Sequence, residues 1–324
     1  MKAVLCTRYC KPDELEIGDL PDPVAAEGQA VVRVRAAALN FFDTLIIAGK
    51  YQTKPAFPFS PAAEFAGEVE SVGPGVTAVR PGDRVAGNIG YGAAREKIVV
   101  AADRLVRVPD GLDFERAAGV IVTYGTTLYA LQERANLRTG ETLAVLGAAG
   151  DVKLAAIEIG KVMGARVIAC ASSAEKLDFA RRHGADLAVN YAEEDLKDAL
   201  RRVTDGQGPD VIYDPVGGRA TEAALRAIAW GGRFLVVGFA AGEIPKLPLN
   251  LVLLKSCDVR GVFWGAWTER DHAGNRANVA QIMQWCAQGK LSAHVHEVFP
   301  LERIAQAMRA LSDRKAMGKV VLKP

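Results

Sequence analysis

The stretch that decides the fold runs from Glu141 to Ser173. It reads Glu-Thr-Leu-Ala-Val-Leu-Gly-Ala-Ala-Gly-Asp-Val-Lys over 141–153, then a helical pattern, then Ala-Arg-Val-Ile-Ala-Cys-Ala-Ser-Ser over 165–173. The continuous apolar run before the glycines is typical of a strand buried on both faces. The whole stretch therefore predicts strand, glycine turn, helix and strand, the βαβ unit of a dinucleotide-binding domain.

The glycine turn is the expected place for the pyrophosphate of a dinucleotide. Gly147 and Gly150 allow close backbone approach, and the first residues of the next helix, Asp151 and Val152, offer main-chain amides. Asp151 suits a helix N-terminus but repels a pyrophosphate, and Lys153 can offset that charge. The long stem of Lys153 is expected to turn toward solvent.

The end of the second strand decides between the two nicotinamide dinucleotides. An NAD site usually carries an acid here for the ribose 2′-hydroxyl, whereas this chain has Ser172, Ser173 and Lys176. Hydroxyls and an ammonium suit a 2′-phosphate, so NADPH is predicted as the cofactor. The alternative is local: Ser172 is the N-cap of a helix over 174–183 and forms a capping box with Glu175.

The rest of the chain divides into a β-rich part and an α/β part. Residues 29–38 alternate like a half-buried strand, and short strands and turns follow in the first third, which indicates a barrel-like β domain. The middle third alternates strands with helices, the pattern of a doubly wound parallel sheet. Its strands are predicted at 142–148, 166–171, 187–190, 210–214, 232–237 and 258–263.

Composition excludes several classes of protein. The 324 residues suffice for two domains, and the net charge of +2 gives no argument for nucleic acid or a membrane as partner. No apolar run reaches the about 20 residues that span a bilayer. The five cysteines are odd in number and widely spaced, which favours reduced thiols and a cytoplasmic location. Neither they nor the four histidines have the spacing of a metal site, so no metal is expected.

Several motifs together resemble the quinone oxidoreductase (zeta-crystallin) branch of the medium-chain dehydrogenase/reductases. The resemblance covers essentially the whole chain. Its motifs are Asn-Phe-Phe-Asp at 40–43 with Gly-Lys-Tyr at 49–51, the stretch 57–67 through Glu64, Val-Thr-Tyr-Gly-Thr-Thr at 122–127, Ala-Ser-Ser-Ala-Glu-Lys at 171–176, and 253–255 with 261–265.

The resemblance implies an α/β chain with two domains. A GroES-like, β-rich catalytic domain would comprise 1–120 and 266–324, and a Rossmann domain with a doubly wound parallel sheet would comprise 121–265. It also implies a homodimer joined through the edge strand near 258–263. Zinc-dependent relatives carry a histidine where this chain has Ala63, so a zinc-independent mechanism is expected.

The reaction implied is hydride transfer from NADPH to a quinone or another α,β-unsaturated carbonyl. The alternative acceptor is an enoyl thioester. The implied catalytic residues are Asn40, Tyr51 and Thr123. The further cofactor-binding residues implied are Thr127, Tyr191, Gly238, Phe239, Phe263 and Trp264. For both threonines a cap or core role is the alternative, and for Phe239, Phe263 and Trp264 the alternative is ordinary core.

Two positions depart from the family pattern. Glycine is usual where this chain has Asp151 and Lys153. Either the turn is rearranged and Lys153 contributes to phosphate binding, or the site is impaired and the protein is a structural or RNA-binding relative. The second departure is Pro61-Ala62-Ala63-Glu64, where Pro-Gly-x-Glu is usual, and it affects a turn.

Overall fold

The structure is a computed structural model that describes residues 1–148, 150–313 and 315–324. It divides into two compact units. The first comprises Met1–Val122, His272–Gly289 and Ala293–Pro324, and the second comprises Thr123–Asp271 and Lys290–Ser292. The domain bounds expected from the sequence, 1–120 with 266–324 and 121–265, stay a prediction.

Fifteen strands lie within the described residues. They are β1 (Lys2–Leu5), β2 (Glu16–Asp19), β3 (Gln29–Leu39), β4 (Glu64–Val72), β5 (Arg84–Asn88), β6 (Lys97–Ala101), β7 (Val106–Arg107), β8 (Thr142–Leu146), β9 (Arg166–Ala171), β10 (Leu187–Asn190), β11 (Val211–Asp214), β12 (Arg233–Val236), β13 (Asp258–Gly261), β14 (Val295–Pro300) and β15 (Lys319–Lys323).

Eleven α-helices lie within the same residues. They are α1 (Phe41–Ile47), α2 (Phe114–Gly119), α3 (Ile121–Leu128), α4 (Asp151–Val162), α5 (Ala174–Arg182), α6 (Leu196–Arg202), α7 (Arg219–Ala227), α8 (Leu249–Lys255), α9 (Trp264–Thr268), α10 (His272–Ala287) and α11 (Ile304–Ser312). A π-helical segment, Tyr129–Arg134, continues α3, and short 3-10 turns lie at Pro12–Glu14, Ala102–Arg104 and Leu301–Arg303.

The first unit is built on one mixed sheet that uses both ends of the chain. Its strand order is β14-β15-β3-β4-β5-β7, and β6 also pairs with β3. The last strand, β15, runs antiparallel to β3 and places Val320 opposite Leu39. The residue before Val320 therefore lies beside the end of β3, and this register positions the candidate site described below.

The second unit is built on a six-stranded sheet in which every pair is parallel. The order β10-β9-β8-β11-β12-β13 is that of a doubly wound nucleotide-binding sheet, as the sequence predicts. Strand β8 ends at Leu146 rather than at 148, because Gly147 takes a φ of +70° and turns the chain. Strand β13 is likewise shorter than predicted and ends at Gly261.

Each sheet is covered by its own apolar core. In the first unit Leu39, Phe65 and Leu322 are fully buried, and in the second Leu146, Ile168 and Phe234 are. Burial of such side chains contributes about 1.5–3 kcal/mol each, which holds the strand ends in place. No helix within the described residues is long and apolar enough to cross a membrane.

Candidate active site

In the first unit, Asn40 sits in a buried polar cluster. It directly follows β3 as the N-cap of α1 and is 3% exposed. Its Oδ1 accepts a hydrogen bond from Lys319 Nζ at 2.6 Å, and its Nδ2 donates to Glu64 Oε1 at 2.9 Å. Lys319 Nζ also pairs with Glu64 Oε1 at 2.5 Å. Both ends of the amide are therefore engaged, each by a charge that suits it.

The carboxyl groups of Glu64 and Asp43 both accept hydrogen bonds from Asn40. Glu64 is fully buried and its second oxygen, Oε2, accepts from the Val122 amide at 2.7 Å. Asp43 Oδ2 accepts from the Asn40 main-chain amide at 2.7 Å, so Asp43 orders this loop. Burial raises the pKa of Asp43 to about 7, while the charge of Lys319 opposes the rise.

Tyr51 follows α1 and is half-buried in the same unit. Its ring stacks on Phe42, with the centroids 5.4 Å apart and the planes at 20°. Burial, and then the charge of Asp43, raise the pKa of Tyr51. At neutral pH the phenol therefore stays protonated and is able to donate a hydrogen bond.

In the second unit, the side chain of Lys153 lies over the glycine turn. A Cβ built on Gly150 would lie 3.0 Å from Lys153 Nζ, and one built on Gly147 would lie 3.5 Å from Lys153 Cε. The stem of Lys153, expected to turn toward solvent, lies over this turn, and the residue is half-exposed. Because the glycines have no side chains, the lysine stem folds back across the turn and carries its ammonium to the start of α4.

After the glycine turn, the described main chain leads directly into α4. Gly150 is the N-cap of α4 in an extended conformation, and Asp151 begins the helix. The Val152 amide donates to the Asp151 carboxylate at 2.8 Å. This bond holds the Asp151 charge at the helix N-terminus, where the helix dipole favours it.

The end of β9 corrects the capping alternative. The N-cap of α5 is Ser173, not Ser172, and its side chain makes no capping hydrogen bond. Ser172 is exposed, while Ser173 and Lys176 are half-exposed. Because α5 begins at Ala174, the cap position falls on Ser173, and the capping box of Ser172 with Glu175 does not form.

The two threonines of the candidate site both lie inside α3 and are buried. The Thr127 hydroxyl is 3.0 Å from the Tyr213 hydroxyl and 3.3 Å from the Val152 carbonyl oxygen. Thr127 therefore ties α3 to β11 and to the first turn of α4. Its expected role as a direct cofactor ligand stays a prediction. Thr123 is 3% exposed on the same helix.

The aromatic residues expected beside the cofactor separate into two groups. Trp264 is buried, and a Cβ on Gly125 would lie 3.0 Å from its ring, so it packs closely on α3. Its indole N–H has no acceptor among the described residues. Phe263 and Phe239 are 68% and 40% exposed. The core alternative thus describes Trp264 but not the two phenylalanines.

Tyr191 and Gly238 both lie just after the carboxyl ends of strands of the parallel sheet. Tyr191 directly follows β10, and its amide donates to the Ala171 carbonyl at the end of β9. Gly238 follows β12, and its amide donates to the Asp214 carbonyl at 3.3 Å. The carboxyl ends of parallel strands are the ligand-binding edge of such a sheet.

Sequence reasoning missed two supporting residues. Asp214, at the end of β11, accepts from the amides of Val216 and Gly217 and from the Thr221 hydroxyl, and so shapes the loop beside the glycine turn. An acid at a strand end before Pro-Val-Gly-Gly is the signal that could have found it. Lys319 has no such signal, because 279 positions separate it from Asn40.

Comparison with known proteins matches both units. Residues 26–110 match the alcohol dehydrogenase GroES-like domain, and residues 152–287 match the zinc-binding dehydrogenase domain. Quinone oxidoreductase-like protein 2 of Rattus norvegicus is 38% identical over 323 residues, covering 99% of this chain and 91% of the relative. Quinone oxidoreductase of Pseudomonas aeruginosa is 34% identical over 332 residues, covering 100% and 99%.

The chain belongs to the quinone oxidoreductase branch of the medium-chain dehydrogenase/reductase family. A solved member, Escherichia coli quinone oxidoreductase complexed with NADPH, superposes with a TM-score of 0.91 at 28% identity and full coverage of both chains. Membership makes the chain an oxidoreductase that uses a nicotinamide cofactor, in a GroES-like plus Rossmann fold.

The zinc that part of this family carries does not fit the residues around Asn40. The described residues hold no group of three or more His, Cys, Asp and Glu able to bind a metal. Ala63 has no ligand atom, and both oxygens of Glu64 are taken, by Lys319 and Asn40 on one side and by the Val122 amide on the other. An ammonium already neutralises the carboxylate that a cation would need.

A nicotinamide dinucleotide does fit the second unit. Gly147 has a positive φ and Gly150 is the N-cap of α4, so the turn leads into a helix N-terminus, where anions are favoured. The Lys153 ammonium supplies a positive charge at the same place. The buried indole N–H of Trp264 has no acceptor among the described residues, so a bound ligand could accept its hydrogen bond.

Proposed function

We propose that this protein reduces quinones or other α,β-unsaturated carbonyls with NADPH, without zinc. The cluster of Asn40, Glu64 and Lys319 carries this proposal. It presents an uncharged amide donor in place of a metal centre. An amide donor suits the oxyanion that develops when hydride adds to a conjugated carbonyl.

The preference for NADPH rests on the end of β9. Ser172, Ser173 and Lys176 present two hydroxyls and an ammonium, with no carboxylate among them, and the Ser173 side chain is not used as a cap. A 2′-phosphate accepts hydrogen bonds from such groups, and Tyr191 at the end of β10 would pack beside the adenosine.

The pyrophosphate would lie at the glycine turn. The main chain of Gly147 and Gly150 would offer it amides and Lys153 would offer its ammonium, while the Val152 amide is engaged by the Asp151 carboxylate. Thr127 supports this turn through the Val152 carbonyl. Gly238, Phe239, Phe263 and Trp264 would line the nicotinamide end.

When bound, NADPH supplies the hydride for the electron-poor carbon. Asn40 would donate to the carbonyl oxygen of the substrate through the amide hydrogen that Glu64 leaves unused. Tyr51, whose phenol is protonated at neutral pH, would donate a second hydrogen bond or the proton. Thr123 would hold the nicotinamide end through its hydroxyl.

Steady-state oxidation of NADPH tests the reaction. The acceptors are 1,2-quinones, 1,4-quinones, small enones and acrylyl-CoA, with NADH as the matched reductant. We expect turnover with quinones or enones and a clear preference for NADPH. Turnover with acrylyl-CoA alone would reassign the protein as an enoyl-thioester reductase. NADPH binding without oxidation by any acceptor would favour a catalytically impaired relative with a structural or RNA-binding role.

We further propose a homodimer through β13. Within the described strands, β13 pairs only with β12, so its other edge is open. Beside it, α8 exposes Leu249, Leu253 and Leu254 by 79, 78 and 65%. Exposed apolar residues next to an open strand edge fit a second copy of the chain. Sedimentation of the wild type and of Leu253→Glu tests this: we expect a dimer that dissociates in the variant, and a monomeric wild type would refute it.

A further inference from the structure

The buried lysine of β15 has no role in the proposed reaction as described so far. Lys319 is 3% exposed, and its ammonium reaches both Asn40 and Glu64. Full burial of a lysine is costly unless it is paired, and a pair alone needs only Glu64. The additional hydrogen bond from Lys319 to the Asn40 amide oxygen is therefore more than burial of the lysine requires.

The fold makes room for this side chain. A Cβ on Gly119, the last residue of α2, would lie 2.8 Å from Lys319 Cγ, so any larger residue there would displace the lysine stem. The register of β15 on β3 then sets the lysine beside the residue that follows β3. Lys319 is thus held in one place by packing, in addition to its charge.

The amide of Asn40 has only one favourable orientation in this cluster. Its oxygen faces the Lys319 ammonium, and its nitrogen faces the Glu64 carboxylate. A flip would set the NH₂ group against the ammonium and the oxygen against the carboxylate, and both contacts would be repulsive. The carboxylate takes one of the two amide hydrogens and leaves the other for a ligand.

The geometry points to Lys319 as a positioning residue for the Asn40 amide in the reduction proposed above, on which this inference rests. Its ammonium fixes which end of the amide is the donor. It also polarises the amide through the oxygen, so that the remaining N–H is a stronger donor. Such a donor stabilises a developing oxyanion more than a neutral carbonyl, and its loss lowers kcat more than it raises KM.

Three variants separate positioning from folding. Lys319→Arg keeps the charge. Lys319→Met with Glu64→Gln removes the ammonium without leaving the buried, unpaired carboxylate that Lys319→Met alone would create. Lys323→Met is the matched control, because Lys323 lies on the same strand but is 64% exposed. Circular dichroism and NADPH fluorescence titration show that each variant is folded and binds the cofactor.

Two readouts are measured. The first is kcat and KM for a 1,4-quinone: we expect kcat to fall about tenfold or more in the double variant, with KM changed less, partial rescue in Lys319→Arg and no change in Lys323→Met. The second is the side-chain NH₂ resonance pair of Asn40, assigned by its loss in Asn40→Asp. We expect it to shift in the double variant and to stay in place in Lys323→Met.

The two readouts distinguish the possible failures. Absence of activity in the wild type would refute the proposed reaction. The Asn40 resonances would still decide whether Lys319 positions the amide. Unshifted resonances in the folded double variant would overturn the inference, whatever the activity. Shifted resonances with unchanged kcat would also overturn it, because the orientation would then have no catalytic effect.

Discussion

Lys153 folds its side chain back over Gly150, and its ammonium lies 3.0 Å from the position that a Cβ would take there. The family usually has glycine at residue 153, which leaves this surface open. Here the same surface carries a positive charge on a flexible stem. A lysine end can move by rotamer change at low cost, so the turn keeps its capacity to receive phosphates.

Lys153→Ala should weaken NADPH and NADH equally, because the pyrophosphate is common to both. Loss of one charged hydrogen bond costs about 1.5–3 kcal/mol, or roughly tenfold or more in Kd. Fluorescence titration measures both constants, with Lys161→Ala on the same helix as control. Tighter binding in Lys153→Ala, or in Asp151→Gly with Lys153→Gly, would show instead that the native turn obstructs the cofactor.

Lys176→Met should weaken NADPH but not NADH, because only NADPH carries the 2′-phosphate. We expect about a tenfold or larger rise in Kd for NADPH and about a twofold change at most for NADH. The same titration measures this, and Lys197→Met, an exposed lysine in the same unit, is the control. Equal losses for both dinucleotides, or tighter NADH binding by the wild type, would contradict the assignment.

Asp43→Asn should remove a pH dependence of stability. Burial raises the folded-state pKa of Asp43 to about 7 from 3.8, so the folded state keeps a proton that the unfolded state has lost in this interval. Stability therefore falls as pH rises from about 4 to about 7, by up to about 1.4 kcal/mol per pH unit, and then levels off.

Thermal unfolding across pH 4–8 measures this effect. The Asp43→Asn variant should show a flatter profile than the wild type and a higher Tm at pH 8. The control is Asp103→Asn, at an exposed acid of the same unit, which should follow the wild type. Parallel profiles for wild type and Asp43→Asn would disprove the elevated pKa.

Ala62→Gly should cost much less than Ala63→Gly. Ala62 takes a φ of +69°, the left-handed region that favours glycine, whereas Ala63 does not. Both are fully buried, so each variant loses one methyl group. Relief of about 1–2 kcal/mol of backbone strain offsets that loss at residue 62 only. Denaturant unfolding compares the two, and equal losses would show that Ala62 is not strained.

Local patterns predicted much of the second unit. The apolar runs and glycines of 141–173 specify strand, turn and helix through neighbouring residues alone, and the alternation of strands and helices predicts a parallel sheet. Local patterns do not determine where a side chain packs among partners from elsewhere in the chain. Lys153 and Thr127 are two examples, because their positions depend on which neighbours leave space or need a hydrogen bond.

In the first unit, less of the candidate site could be predicted from the sequence. Asn40 is recognisable from its motif, yet its amide is oriented by Glu64 and by Lys319, 279 positions away. Only the pairing of β15 with β3 brings that ammonium to the end of β3. The sequence by itself predicted the strand, turn, helix and strand of 141–173 and the division into a β-rich and an α/β part, since these follow from short-range periodicity and glycine placement, and its motifs carried the resemblance to the family. The tertiary structure alone decided which charges meet around Asn40, because burial and pairing of charges depend on strands that are remote in the chain.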